Sequence, residues 1–230
     1  MNEIFLIASY CCCSPKDILS PVIGLPDETP TWVNLHDISE DLQTLTVPQG
    51  VVGKWSIGSR IVITSTSRSY WEDHVRTIVR VDKTGESGLA LLRMDSPLPF
   101  RPTTKKESSV FAVEVALLSR NILFEGESDD SSQTGHFIVF RTPEIIQKIE
   151  GVEFRHFGQQ GVLGRYPIHF HFCGDVAGSV VAKNTIHLSQ QRCVVVHGTD
   201  NLKISENVAY HTAGHCFMTE DVSHQTSWTG

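Results

Sequence analysis

The chain has 230 residues, with 19 Lys and Arg against 26 Asp and Glu, a formal net charge of −7. Hydrophobic residues make up 40% and charged residues 20%, which excludes a wholly disordered or fibrous chain and allows a sizeable core. The acidic balance excludes a global attraction to nucleic acid or anionic lipid, so a polyanionic ligand would need a local basic site.

Residues 1–30 read as an irregular segment punctuated by Pro15, Pro21, Pro26 and Pro30. No apolar run reaches the roughly 18 residues of a spanning helix, so no membrane span is expected. The apolar run from Ile4 to Cys13 follows Glu3, where a secretory leader carries a basic residue, and is not a clear signal peptide. Cys11, Cys12 and Cys13 are adjacent and lack zinc-site spacing, and Cys173, Cys193 and Cys216 lie in the last third. Cysteine usage leaves the redox compartment open.

Residues 31–125 read as short β-strands leading into the next region. Ser59–Ser67 is rich in β-branched residues. His74–Val81 and Leu89–Met94 follow, joined by a hairpin-type turn over Thr84–Gly88. Val110–Leu118 and Asn121–Phe124 add two more. Residues 126–148 read as loop and short helix. The acidic, Ser-rich stretch Glu125–Gly135 is an exposed loop, and Thr142–Ile149, opened by Pro143, is the one helical candidate.

From about residue 149 to 230 the sequence repeats. Asn184-Thr185-Ile186-His187 with Cys193-Val194 recurs 23 residues later as Asn207-Val208-Ala209-Tyr210 with Cys216-Phe217. An earlier copy runs from Gly151 through Pro167–His171, offset by 26 because of a Gly-rich insertion near Gln159–Gly164. Such a period with several short β segments predicts a parallel β-helix, whose coils must stack to bury an apolar face. Equivalent residues then form ladders: Asn184 over Asn207, Cys193 over Cys216. The cysteine pair is close enough for a disulfide by spacing; the alternative is two buried free thiols.

Eight of the eleven His lie after residue 150, where five basic residues face six acidic ones. His169 and His171 share one strand face, and Ile168, Phe170 and Phe172 are assigned to the core. The alignment stacks His171 on His197 and both on Glu220, with Arg165, Asp175 and Asp221 flanking at strand ends. Three chemistries fit this column. One is a polysaccharide site, with Arg165 pairing a sugar carboxylate and a His or carboxylate as general acid or base. Another is a metal site on His169, His171 and His197. The third is structural, with the His capping turns.

The blocks Gly161–Val176, Arg192–Gly198 and Gly214–Asp221 resemble the signature of the cell migration-inducing and hyaluronan-binding protein family, its transmembrane cell-surface hyaluronidase branch and its fibrocystin-like relatives. Upstream, Pro30-Thr31-Trp32, Trp55–Gly58 and Glu114–Ile122 agree, so the likeness spans about residues 30–221. The resemblance implies an all-β, right-handed parallel β-helix, extracellular or at the cell surface, with hyaluronan or another acidic polysaccharide as partner and no nucleic acid. It carries over the positions Arg165, His169, His171, Asp175, His197, Glu220 and Asp221, and charge and stacking make His171, His197 and Glu220 the candidate catalytic groups and Arg165, His169, Asp175 and Asp221 the candidate substrate contacts. It leaves open whether the chain depolymerises its ligand or is a non-catalytic ectodomain module. The cofactor is also left open, a divalent cation being the one considered. Relatives usually carry a glycine-rich β domain ahead of this region and further coils after Asp221, so the chain is expected to be a fragment, cut mid-helix.

Overall fold

The computed structural model describes residues 22–24, 28–65, 74–85, 88–108, 110–126, 135–140, 146–220 and 227–229. The chain divides into two compact units. One spans Pro26–Ser119; the other is Arg120–Gly230 with the N-terminal segment that contains β1 (Val22–Ile23). No helix among the described residues is long and apolar enough to cross a membrane.

The first unit is one antiparallel sheet. It contains β2 (Trp32–Asn34), β3 (Asp37–Ile38), β4 (Thr44–Pro48), β5 (Arg60–Ile63), β6 (His74–Lys83), β7 (Leu89–Met94) and β8 (Glu114–Leu117), in the order β2-β8-β5-β6-β7-β4-β3. The period-2 pattern of β-branched and aliphatic residues drives this arrangement. On β4, Leu45 and Val47 are buried while their neighbours are not. β6 and β7 pair antiparallel on either side of the predicted turn, with Gly88 at φ 91°, a conformation other residues rarely adopt; residues 86 and 87 lie outside the described residues. Leu35, Trp55, Ile61, Ile78, Leu92 and Val115 lie at the centre of its core, and Trp55 Nε1 donates to Pro30 O at 2.8 Å.

The second unit is a parallel β-helix with three walls. Its strands are β9 (Ile122–Glu125), β10 (Phe137–Phe140), β11 (Lys148–Glu150), β12 (Val152–Arg155), β13 (Ile168–Asp175), β14 (Val180–Ala182), β15 (Thr185–His187), β16 (Val194–Asp200), β17 (Lys203–Ser205), β18 (Val208–Tyr210), β19 (Phe217–Glu220) and β20 (Ser227–Thr229). The first wall is β1-β11-β14-β17-β20, the second β9-β12-β15-β18 and the third β10-β13-β16-β19, with every pairing parallel. Phe124 stacks on Phe154 at 5.4 Å along the inside of the second wall. Val152, Phe154, Ile168, Phe170, Val194 and Ile204 are among the buried residues of the same core.

Three local expectations give way. Val22–Ile23, inside the segment read as irregular, pairs with β11, because a parallel partner supplies hydrogen bonds that local composition does not announce. The strand expected over Asn121–Phe124 forms one residue later, at Ile122–Glu125, and this β9 belongs to the β-helix through its pairing with β12 rather than to the preceding sheet. In the helical candidate over residues 142–149, Lys148 and Ile149 are in strand β11, paired on both sides; residues 142–145 lie outside the described residues. So do residues 127–134 of the acidic loop and Cys11–Cys13.

The corner between the first and second walls explains the Asn repeat. Gly151, Lys183 and Glu206 occupy it in successive coils, all with φ between 54° and 67°. Asn184, fully buried, follows that corner. Its Nδ2 donates to Ile149 O and to Asn207 Oδ1, both at 2.9 Å, and its Oδ1 accepts from Val152 N at 3.0 Å. Asn207 Nδ2 continues the ladder to Val181 O at 2.9 Å. Replacing Asn184 by Ala removes the partners of two buried backbone groups. The expected loss of stability is about 2–4 kcal/mol, read as a lower urea midpoint at unchanged slope.

Cys193 and Cys216, the residues just before β16 and β19, are neighbours in successive coils and are free thiols, as is Cys173. A hydrogen bond from Cys193 pulls the Cys216 thiol down to about 6, while the same bond and burial push Cys193 up.

Candidate functional site

The site is built on the third wall by register alone. His171 pairs with His197, and His197 with Glu220; His169 pairs with Val195, and Val195 with Met218. Strand alternation sends Ile168, Phe170, Val194 and Val196 into the core, all at 0% exposure. His171, His197 and Glu220 are therefore brought side by side, half-buried, on the outer face of three successive coils.

Phe172 departs from the expected core position. It is 47% exposed, with φ 51°, and the register between β13 and β16 shifts between His171 and Gly174. The bulge inserts one residue, so Cys173 takes the inward place and Phe172 is turned outward. Its ring lies 4.6 Å from the His171 ring and 4.2 Å from the His197 ring. Gly198 makes room for it: a Cβ there would sit 2.6 Å from Phe172 Cδ1.

His169 lies deeper, at 3% exposure, beneath the insertion that precedes β13. Tyr166 packs edge-on to it at 4.9 Å, and its Nδ1–H donates to Gly164 O at 2.9 Å. Burial pushes its pKa down to about 4, against the pull of the Gly164 carbonyl, so the ring is neutral at physiological pH. His171 Nδ1 and His197 Nδ1 stand 3.1 Å apart, and the ligand nitrogens of all three His lie within 4.8 Å of one another.

The charges close to this cluster differ in part from those read in the sequence. Arg192 reaches Glu220, bonds Tyr166 Oη at 3.3 Å and lies 5.6 Å from the centre of that ring. Glu220 Oε2 is 4.0 Å from His197 Nδ1. Arg165 is exposed and donates to Gln159; it is near enough to His136 to add to the burial that lowers the pKa of that ring. Asp175 serves a corner, accepting from Ala177 N at 3.0 Å and Asn201 Nδ2 at 2.9 Å. Asp221 lies outside the described residues. Tyr166, Arg192, Phe172 and His136 escaped sequence reasoning. A signal existed for two of them: Tyr166 and Arg192 are separated by the same 26-residue step that links His171 to His197.

Comparison with known proteins agrees with this architecture: residues 132–227 match the family model CEMIP beta-helix. Residues 132–227 carry a CEMIP beta-helix. The three blocks that carried the resemblance all fall within or beside that span. Cell surface hyaluronidase of Danio rerio is 33% identical over 192 residues, covering 75% of this chain and 14% of the relative. Human cell migration-inducing and hyaluronan-binding protein is 31% identical over 191 residues, covering 74% and 14%. Protein rliB of Dictyostelium discoideum is 33% identical over 169 residues, covering 73% and 14%. Two of these relatives are named for hyaluronan and one is not, and this chain spans about one seventh of each.

Proposed function

We propose that this chain is part of an extracellular or cell-surface protein whose right-handed β-helix binds hyaluronan, or a related acidic polysaccharide, along the third wall and cleaves it there. The observation that carries this is the His171–His197–Glu220 column beside an outward-turned aromatic ring. Phe172 offers a sugar an apolar face, and Arg192 and Arg165 offer charge-assisted hydrogen bonds to a uronate carboxylate. His169, Asp175 and Asp221 stay as candidate contacts along the same run of sugar. For hydrolysis, one of His171 and His197 gives a proton to the departing glycosidic oxygen, and the other takes one from the attacking water. Glu220, held by Arg192, orients His197 and balances its charge when protonated. The chain is acidic overall, so such binding depends on these local cations and weakens with salt.

A binding-only reading has one observation in its favour. Glycosidases commonly use two carboxyl groups, and Glu220 is the single carboxylate of the column among the described residues. Binding and cleavage are therefore tested separately. Titration with a hyaluronan hexasaccharide should give an affinity that Arg192→Ala and Phe172→Ala each reduce by about tenfold, equivalent to about 1.4 kcal/mol. Unchanged affinity in both variants would remove the third wall as the binding surface.

A further inference from the structure

His169, His171 and His197 carry chemistry that sugar binding does not require. His169 is the informative member. Its Nδ1–H is committed to the Gly164 carbonyl, which leaves the lone pair on Nε2. That atom is buried and has no hydrogen-bond partner. Buried ring nitrogens are normally satisfied, so an orphan on a ring centred 4.9 Å from that of His171 and 6.4 Å from that of His197 calls for an occupant. A carbonyl holding one ring nitrogen is also how proteins fix the tautomer and orientation of a metal-ligating histidine.

The other two rings point the same way. Their Nδ1 atoms approach to 3.1 Å, where two lone pairs cannot face each other without a proton or a cation between them. Two imidazole nitrogens bound tetrahedrally to one zinc ion stand about 3.3 Å apart. The 4.8 Å limit for the whole trio exceeds that by an amount on the order of 1.5 Å, within reach of the broad χ2 torsion of histidine. The trio comes from two coils of one wall, so its spacing is set by a rigid element rather than by a loop.

We propose that His169, His171 and His197 form a three-histidine site for zinc(II), with a fourth coordination position left for water or a sugar oxygen. Three protein ligands with an open position are the arrangement of zinc sites that act on a bound ligand. Neutral imidazoles suit zinc and its transition-metal neighbours, whereas calcium and magnesium seek oxygen ligands. This goes beyond the polysaccharide reading and stands whether or not hyaluronan binds; rings that hold the ion cannot also give and take protons, so bound zinc would replace the acid and base roles of His171 and His197 while leaving the sugar-binding surface in place.

The test uses the full chain, stripped with a chelator and dialysed against zinc chloride, with bound metal counted and thermal unfolding followed. The expected result is one zinc per chain, undiminished by excess calcium, and a higher unfolding temperature with zinc present. His171→Gln and His197→Gln, at half-buried positions chosen to spare the fold, should each weaken zinc binding by about 100-fold. His211→Gln, at an exposed position past β18, should not. Less than stoichiometric zinc on the wild-type chain would overturn the proposal. So would stoichiometric zinc on the His171→Gln/His197→Gln double variant. Zinc binding without hexasaccharide binding would sink the polysaccharide reading alone.

Discussion

Glu153→Ala is expected to destabilise the β-helix by about 3–5 kcal/mol, the range for breaking a buried ion pair from one side. Glu153 is 3% exposed, and its Oε1 meets His187 Nε2 at 2.8 Å. Its Oε2 accepts from Arg120 N at 3.1 Å. The Arg120 guanidinium is itself buried, donates from Nε to Lys183 O at 2.9 Å, and has its pKa pulled down to about 9 by burial while Glu153 opposes that shift. Alanine at position 153 removes the acceptor that His187 and Arg120 share, leaving polar groups in a region with little water to replace it. Against a typical total of about 5–15 kcal/mol, this is a large share of the stability of the unit. Glu153→Gln keeps the shape and one acceptor and should cost clearly less. Urea unfolding measures both; a Glu153→Ala change within about 0.5 kcal/mol of wild type would contradict the account.

The second large effect is on function. His197→Ala should slow shortening of hyaluronan chains by about 100-fold or more, the usual contribution of a positioned acid or base. His171→Ala should do the same, and the double variant should lose little beyond either single one, because the two rings act as a unit. His211→Ala serves as the control and should leave the rate unchanged. The assay is chain-length analysis of hyaluronan with each variant at equal folded concentration. Fragments appearing equally fast with both third-wall variants would remove the assigned roles, whatever the binding affinity.

Much of the fold was legible because a solenoid writes its geometry into sequence offsets. The 23-residue step between Asn184 and Asn207 is also the step between His197 and Glu220, and both pairs meet in space. The 26-residue step from His171 to His197 was readable for the same reason. The first coil was not, since β1 and β9 are separated by a whole antiparallel unit and no fixed offset survives that interruption. Phe172 was misplaced because strict alternation cannot register an inserted residue; Gly174, two residues on, was the available hint of a bulge. Glu153 and His187 were missed because their partnership links β12 to β15, 34 residues apart across the 32-residue coil that carries the insertion. Nothing in the local pattern around either marks it as buried. Arg165 attracted the role of sugar-binding cation by its place beside the His-x-His run, whereas Arg192 is the cation that reaches Glu220.

The proposed function requires consecutive coils to assemble one sugar-handling surface from His171, His197 and their neighbours. Imidazole nitrogen NMR of the labelled chain, titrated with hyaluronan hexasaccharide, addresses it directly. The resonances of His171 and His197 should shift together with one saturation curve while His187, buried in the second wall, stays still. Shifts at His187 or at His211 with no change at His171 and His197 would contradict it.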